Sequence, residues 1–303
     1  MNEDSEILKI IFMGLDNGGK TSILYALENA YNKIHNIKPT LSFETKRVFN
    51  ILGIPVYIWD LGGQKKLREK FLNNIEYFDN VNQIFWVIDV QDDFRFIESI
   101  EYFLKVWELL EKYSTLPHIT FFLHKSDPEI RNNSKIRENV KLITKLFDNL
   151  PQKFEFYETS IFDREELLRV FSQSIRKVFP KANVLDDYLS EFLKETKSSA
   201  VILLDNNILS LSEAKEDENS LNICRVCGPY FTNMAQKLKS YNMKIPDYIQ
   251  AQMDGWLFFK AIKVNNDNFY LVLFNKSVED VKIIHEYIQS FVESLQNVIK
   301  YIL

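Results

Sequence analysis

The sequence predicts two domains in series: a mainly parallel α/β sheet, then a smaller antiparallel α+β domain. Three observations predict this. The 303 residues exceed one average domain, strands and helices alternate up to about residue 180, and the order of elements changes after that point. Apolar residues make up 46% of the chain, enough for two buried cores. We therefore place the domains at residues 1–180 and 185–303.

The first domain begins with an apolar strand over residues 7–13, which a helix follows over about 19–31. Two β-rich runs, 43–52 and 54–60, flank Gly53 and predict a hairpin that adds one antiparallel edge strand. Further strands are predicted at residues 83–90, 119–124 and 154–159. Further helices are predicted at residues 94–113, 134–149 and 164–179. This alternation predicts a six-stranded, mostly parallel sheet covered on both faces.

Phe179-Pro180 closes the alternation, because proline ends helices and biases the preceding residue towards extended structure. The elements predicted after it are a helix at 186–197, strands at 200–205 and 208–214, a helix at 220–241, strands at 250–254, 256–264 and 269–275, and a helix at 278–302. Gly228-Pro229 predicts a kink or break in the 220–241 helix. The second domain is therefore predicted to be an antiparallel sheet with helices on it.

Charge and composition argue against several partners and locations. The net charge of -5 comes with interspersed Lys and Glu and no basic block, so nucleic acid is not expected as a partner. No run reaches the roughly 18 apolar residues of a membrane span. Asn2 argues against N-myristoylation and the last residues lack a cysteine to prenylate, so no direct membrane anchor is expected. We expect a cytoplasmic protein, with recruitment to membranes by partner proteins left open.

The two cysteines, Cys224 and Cys227, cannot form a disulfide framework across this chain, which fits a reducing compartment. They lie on a predicted helix without a second cysteine pair. Burial is therefore favoured over a metal site.

The segment from Gly14 to Thr21 satisfies G-x-x-x-x-G-K-[ST] and lies between a strand and a helix. Backbone N–H groups of such a loop form an anion site, and the helix N-terminus adds positive potential. Lys20 is expected to reach the β- and γ-phosphates of a nucleotide, and the Thr21 hydroxyl to bind Mg²⁺. The residues predicted to bind the phosphates are Asp16, Asn17, Gly18, Gly19, Lys20, Thr21 and Ser22.

A second motif, Trp59-Asp60-Leu61-Gly62-Gly63-Gln64, follows a predicted strand. Asp60 is expected to hold Mg²⁺, and Gly63 can bring its N–H close to the γ-phosphate because it has no Cβ. Gln64 is the predicted catalytic residue, placed to orient the attacking water. Thr40, in a polar stretch, is predicted to bind Mg²⁺ while the γ-phosphate is present, although an ordinary loop threonine remains an alternative.

Two further motifs predict the base-binding loops. His124-Lys125-Ser126-Asp127 follows a strand at its carboxyl end, where ligands bind in open sheets. The Asp127 carboxylate can accept two hydrogen bonds from guanine, a pattern that adenine cannot supply. Most such loops carry Asn at the position of His124. Ser160 and Ile161 are predicted to support the guanine oxygen, although on the residues alone a plain turn is an equal interpretation.

The first 180 or so residues resemble the Ras-superfamily G domain, in the branch shared by Arf-like and Rag/Gtr GTPases. The phosphate loop and Pro39-Thr40 are similar to Arf proteins. His124 and the segment Thr159-Ser-Ile-Phe-Asp163 are closer to Rag/Gtr proteins. The paired strands within Ala200–Ala214, with their flanking helices, are similar to the roadblock/longin-like module that follows the G domain in Rag/Gtr GTPases.

The resemblance implies a GTP-binding molecular switch that uses GTP, GDP and Mg²⁺ and acts with a GAP and an exchange factor. Because Arg47 and Arg68 lack the spacing of a cis arginine finger, slow intrinsic hydrolysis is expected. The C-terminal domain is expected to pair with a second GTPase or roadblock protein. Two alternatives stay open, namely an Arf-like membrane-traffic GTPase and a scaffold that binds nucleotide without hydrolysing it.

Overall fold

The computed structural model describes residues 7–38, 40, 45–51, 54–113, 116–148, 150, 152–179, 182–244, 248–264, 267–277 and 281–302. The chain divides into two compact units, Met1–Val170 and Phe171–Leu303. This division lies within a helix and earlier in the chain than the boundary predicted near residue 180. Pro180, on which that prediction rested, lies outside the described residues, as do Pro39, Phe43 and Gly53.

The first unit is built on a six-stranded sheet. Its strands are β1 (Leu8–Gly14), β2 (Thr45–Ile51), β3 (Ile54–Asp60), β4 (Gln83–Asp89), β5 (His118–His124) and β6 (Glu155–Thr159). Its α-helices are α1 (Lys20–Leu27), α2 (Lys65–Leu72), α3 (Phe96–Leu110), α4 (Ser134–Phe147) and the start of α5 (Arg164–Val178). The strand order is β2-β3-β1-β4-β5-β6, and only the β2–β3 pair is antiparallel. The predicted sheet is confirmed.

Two helices of this unit differ from the prediction. The α1 helix ends at Leu27, because Asn29 adopts a left-handed conformation with φ of 55°, and a 3₁₀ turn follows. The α2 helix was not predicted, since its sequence is mostly charged and lacks a wide apolar stripe. It buries Phe71 and, unusually for a charged residue, Arg68.

Aromatic side chains fill the core between the sheet and α3. Phe103 is fully buried, and its ring centroid lies 5.0 Å from that of Phe121, 5.4 Å from that of Phe147 and 5.1 Å from that of Trp86. Edge-to-face contacts of this kind add to the free energy gained from burying apolar area. They hold β4 and β5 rigidly, and the carboxyl ends of these strands carry site residues.

The second unit is an antiparallel α+β structure. Its strands are β7 (Ala200–Leu204), β8 (Ser210–Lys215), β9 (Tyr248–Gln252), β10 (Trp256–Val264) and β11 (Asp267–Asn275). Its helices, besides the end of α5, are α6 (Ala182–Thr196), α7 (Glu218–Ser240) and α8 (Val281–Ile302). The strand order is β8-β7-β11-β10-β9. All five residues of β7 are buried, so this sheet is covered on both faces.

The predicted break in the helix around Gly228-Pro229 is wrong, because α7 runs without interruption from Glu218 to Ser240. Packing explains the difference. A Cβ added at Gly228 would lie 2.8 Å from the Leu204 side chain, so the helix lies very close to β7 at this point. Burial of this face outweighs the missing N–H of Pro229, a defect that costs about 3 kcal/mol in a helix interior.

We predict that Phe103→Ala lowers the free energy of unfolding by about 3–5 kcal/mol, because it removes a buried ring and leaves a cavity. Phe94→Ala, at a side chain that is 92% exposed, is the matched control and should change it by less than about 0.5 kcal/mol. Urea titrations of the full chain followed by tryptophan fluorescence measure both. Equal losses for the two variants would contradict this account of the core.

Candidate nucleotide-binding site

The phosphate loop joins β1 to α1 and surrounds a buried cation. Gly19 precedes α1 with φ of 94°, and no side chain caps the first N–H groups of the helix. Lys20 is 6% exposed, and its Nζ donates to the carbonyls of Leu15 at 2.7 Å and Gly14 at 3.2 Å. Burial lowers the pKa of Lys20 to about 8, while the carboxylates of Asp60 and Asp16 raise it. The loop thus offers open N–H groups and an ammonium group to an anion.

The Gly62–Gly63 segment after β3 lies directly against the phosphate loop. A Cβ added at Gly63 would lie 2.0 Å from the Asp16 nitrogen and 2.1 Å from the Leu15 carbonyl carbon. No side chain fits there without displacing backbone. The absence of a Cβ at Gly63 thus allows this contact with the loop backbone, while its approach to a γ-phosphate stays a prediction.

Three oxygen-bearing side chains meet beside Lys20. Thr21 Oγ1 donates to Asp60 Oδ2 at 2.5 Å and lies 3.2 Å from Thr40 Oγ1. These residues come from the start of α1, the end of β3 and the segment between α1 and β2. The structure brings together all three residues predicted to bind a metal. Their carboxylate and hydroxyl oxygens are the hard ligands that Mg²⁺ prefers.

The two loops and the threonine enclose a cleft of about 350 Å³. Gln64 lines it, and among the described residues its buried Oε1 atom has no hydrogen-bond partner. Gly18 lies outside this cleft and faces a smaller cavity beneath the loop. The residues that line the cleft are Asp16, Asn17, Gly19, Lys20, Thr21, Ser22, Ile37, Lys38, Thr40, Gly62, Gly63 and Gln64.

The two base-binding loops are joined by hydrogen bonds at the ends of β5 and β6. Ser160 Oγ donates to Asp127 Oδ1 at 2.5 Å, and the Tyr31 hydroxyl donates to the Ile161 carbonyl at 3.0 Å. An ion pair between Arg131 and Asp163 at 2.8 Å also links the two loops. The predicted base residues are therefore held side by side, with the Asp127 carboxylate oriented by Ser160.

His124 connects the base loops to the phosphate loop. Its Nδ1 lies 3.0 Å from Thr159 Oγ1, and a Cβ added at Gly19 would lie 2.5 Å from its ring. The imidazole thus fills the space that Gly19 leaves open. Burial, with the neighbouring Lys125 ammonium, lowers the pKa of His124 to about 3, so the ring stays neutral at physiological pH. The residue braces the site from a buried position, and its contact with a nucleotide stays a prediction.

Lys125 adopts a left-handed conformation with φ of 62°, uncommon for a residue with a side chain. Its ammonium pairs with Asp89 at 2.6 Å, and its carbonyl accepts from Gln91 Nε2 at 2.8 Å. The loop after β5 is thereby tied to the loop after β4. Such backbone conformations are typical of binding sites, where the surrounding structure offsets their cost.

Arg95 and Glu98, at the start of α3, reach this site but were not predicted. Arg95 Nη2 donates to Asp16 Oδ1 at 2.7 Å, and its Nε donates to Glu98 Oε2 at 2.9 Å. Glu98 also accepts from Arg68 of α2. The only sequence signal was an Arg-x-x-Glu spacing at the start of a predicted helix, which does not reveal a partner 79 residues away.

The residues present fit a nucleotide phosphate with a magnesium ion. A glycine cradle that a Cβ would fill, a buried ammonium and three convergent oxygens match what these groups need. No cluster of three or more His, Cys, Asp or Glu side chains occurs among the described residues.

A family model for the Gtr1/RagA G protein conserved region matches residues 9–230. The chain belongs to the Gtr1/RagA family. This places it among the Rag/Arf-like proteins of the Ras superfamily, as its motifs indicate. The matched range continues past the first unit through β7 and β8 and into α7 of the second. The Gtr1/RagA match thus includes the mainly parallel sheet of the first unit and two strands of the antiparallel sheet of the second.

Curated relatives of this Gtr1/RagA protein each match part of the chain. ADP-ribosylation factor-like protein alp41 of Schizosaccharomyces pombe is 40% identical over 91 residues, 30% of this chain and 46% of that protein. ADP-ribosylation factor-like protein 3 is 34% identical in Caenorhabditis elegans, over 40% of this chain and 61% of the relative. The ADP-ribosylation factor-like protein 3 of Chlamydomonas reinhardtii is 39% identical, over 37% of this chain and 60% of that relative. The chain thus spans about half to three fifths of the length of these relatives.

Solved structures are more distantly similar. The Arl6 BBS3 small GTPase of Trypanosoma brucei, with bound nucleotide analogue GppNp, has a TM-score of 0.44 and 21% identity, over 57% of this chain and 98% of that chain. MglB of Myxococcus xanthus has a TM-score of 0.35 and 12% identity, over 41% of this chain and 93% of that chain. Within the described part of this Gtr1/RagA protein, no helix combines the length and apolar character needed to cross a bilayer.

We predict that His124 makes the stability of this protein fall as the pH is lowered from 8 to 5. The folded protein keeps the ring neutral down to a pKa of about 3, whereas the unfolded chain binds a proton below about 6.5. Because the unfolded state then binds more protons than the folded state, acid lowers the free energy of unfolding, by about 2 kcal/mol at pH 5.

Urea titrations of the wild type and of His124→Asn at pH 5 and pH 8 measure this contribution. Asn can still bond to Thr159 but does not titrate, so the variant should lose less stability between the two pH values. The same pH dependence in both proteins would show that His124 is not held neutral.

Proposed function

We propose that this chain is a guanine-nucleotide switch that binds GTP or GDP with Mg²⁺ and hydrolyses GTP slowly. The observation that carries the proposal is the meeting of Thr21, Thr40 and Asp60 beside the buried Lys20. The threonine and Gly63 segments both lie against the phosphate loop. Segments that contact the γ-phosphate side of a cleft can be released when that phosphate leaves.

Guanine selection is assigned to Asp127. Ser160 and the Arg131–Asp163 pair hold its loop beside the loop after β6. A fixed carboxylate accepts hydrogen bonds from guanine N1–H and the exocyclic amine, and it is left unpaired by adenine. His124 and Lys125 contribute by bracing this loop against the phosphate loop and Asp89.

Slow hydrolysis is proposed from the environments of Gln64 and Arg95 at the cleft. Gln64 Oε1 is a buried acceptor without a protein partner among the described residues, as orientation of a water molecule requires. Arg95 lies near the cleft, but Asp16 and Glu98 engage its guanidinium group. Bound Mg²⁺ would neutralise charge that develops on the phosphates. With the Arg95 guanidinium engaged in this way, we expect rates on the order of 10⁻⁴–10⁻² s⁻¹, so a GAP and an exchange factor are expected.

A non-hydrolysing scaffold and an Arf-like membrane-traffic GTPase are the alternatives. Single-turnover hydrolysis by the pure protein separates the scaffold from the switch. The curated relatives, which match 30–40% of this chain, favour the Arf-like alternative. The Gtr1/RagA match into the second unit supports the Rag/Gtr-like switch instead. We propose a cytoplasmic protein that partner proteins bring to membranes.

The second unit is proposed to be a roadblock-like module that pairs with another such module, in a second copy or a sister GTPase. Its sheet ends at β9, which pairs with β10 and has no other neighbouring strand among the described residues. On α7, Val226, Tyr230 and Met234 are exposed at spacings of four residues and form an apolar stripe. A strand edge and an apolar helix stripe are the two features that pairing across a two-fold axis can use.

We predict that the protein binds GTP and GDP much more tightly than ATP in calorimetric titrations with Mg²⁺. Asp127→Asn should weaken GTP and GDP binding about 100-fold or more and favour XTP, because the amide cannot accept both guanine hydrogen bonds. Asp148→Asn, at the exposed end of α4, is the control and should bind as the wild type does. Indifference to the base would contradict the guanine assignment.

We predict that the full chain self-associates at tens of micromolar and that Tyr230→Asp and Met234→Asp each prevent this, because a buried unpaired charge is costly. Val184→Asp on α6 is the matched control, since Val184 and Met234 are both 39% exposed. Sedimentation equilibrium measures the association. A monomeric wild type at these concentrations would exclude self-pairing, and an equal effect of the control would exclude the α7 surface.

A further inference from the structure

A chain of charged side chains links the phosphate loop to α2 through the first turn of α3. Arg95 donates to Asp16 twice, to Oδ1 at 2.7 Å and to the backbone carbonyl at 3.3 Å. Its Nε donates to one oxygen of Glu98 at 2.9 Å, and the other oxygen of Glu98 accepts from Arg68. The four residues alternate in sign, so each charge has an opposite neighbour.

Arg68 fixes the α2 end of this chain. It is 8% exposed, and its guanidinium carbon lies 5.2 Å from the centroid of the buried Tyr102 ring on α3. Arg68 is a residue of α2, which begins directly after Gln64. The position of the predicted catalytic segment is thereby connected to Glu98 and, through Arg95, to the phosphate loop.

Asp16 creates an electrostatic problem for a phosphate ligand. Its backbone meets Gly63, and the residue lines the same cleft as Lys20 and Gln64. Although partial burial disfavours its charge, the Arg95 guanidinium holds the pKa of the Asp16 carboxyl below its usual range, so it is ionised. A carboxylate beside the cleft repels phosphates, and it repels a triphosphate more than a diphosphate because the triphosphate carries more charge.

We propose that Arg95 is the counter-ion that makes Asp16 compatible with a γ-phosphate, and that it thereby sets the preference of the site for GTP over GDP. This inference rests on the guanine-nucleotide function proposed above. Arg95 acts through Asp16, so it is a positioning residue, and it holds the carboxylate on the α3 side. Glu98 in turn holds the Arg95 guanidinium, and its other carboxylate oxygen accepts a hydrogen bond from Arg68 of α2.

A purely structural role is a poor explanation of this pair. The Asp16 and Arg95 side chains are 43% and 30% exposed, and ion pairs of that exposure add little to stability. A second ion pair among the described residues, Lys135 with Asp93 at 3.3 Å, is more exposed at its cation, and neither of its residues belongs to the phosphate loop. Lys135→Gln therefore removes a surface ion pair that does not involve Asp16.

The test measures dissociation of fluorescent GDP and of a fluorescent non-hydrolysable GTP analogue, with Mg²⁺, from the full chain. Arg95→Gln should speed dissociation of the GTP analogue roughly tenfold and that of GDP much less. Adding Asp16→Asn to Arg95→Gln should restore the wild-type ratio, because no unbalanced carboxylate remains. Lys135→Gln should leave both rates unchanged, and Arg95→Lys should keep part of the preference.

Two results would overturn the inference while leaving the proposed function intact. If Arg95→Gln speeds dissociation of both nucleotides equally, Arg95 only supports the loop. The same follows if adding Asp16→Asn does not restore the wild-type ratio of the two rates. A wild type that retains neither nucleotide would remove the proposed function as well. The wild-type rates, measured first, therefore distinguish the two failures.

Discussion

The close packing of neighbouring groups against the backbone of the phosphate loop is the constraint on which the rest of the site depends. Leu15 and Asp16 lie against Gly63 on one side, and Gly19 lies against the His124 ring on another. Neither contact leaves room for a Cβ. Because β1, β3 and β5 end at these contacts, their carboxyl ends must arrive within a narrow tolerance, and the dense aromatic core beneath β4 and β5 adds rigidity.

Charge around the loop is balanced by pairing at three points among the described residues. Lys20 is buried among carbonyls near Asp60, Lys125 pairs with Asp89, and Asp16 pairs with Arg95. Pairing of this kind lets a small cleft hold several charges without unpaired burial.

The sequence was sufficient for those features that depend on neighbouring residues. Strand β1 is a continuous apolar run before a glycine, and the spacing from Gly14 to Thr21 defines the phosphate loop by itself. The role of Thr40 was an inference from one residue, and it gains support from the 3.2 Å separation from Thr21.

Features that depend on distant contacts could not be predicted. The α2 helix has few apolar residues, and it is placed by Arg68 and Phe71 against α3 and the core. Continuity of α7 through Pro229 depends on how closely Gly228 packs on β7. The Arg95–Asp16 pair joins residues 79 positions apart, and no local pattern reports such a distance.

The missing side chain at residue 63 has a genetic consequence. A single base change converts any glycine codon to an alanine codon, and the added methyl would act as a wedge between two loops. The hydrophobic core would be untouched, so such an allele would produce a normally folded protein that fails to close its cleft. Loss of a closed cleft is thus within easier mutational reach than loss of the fold.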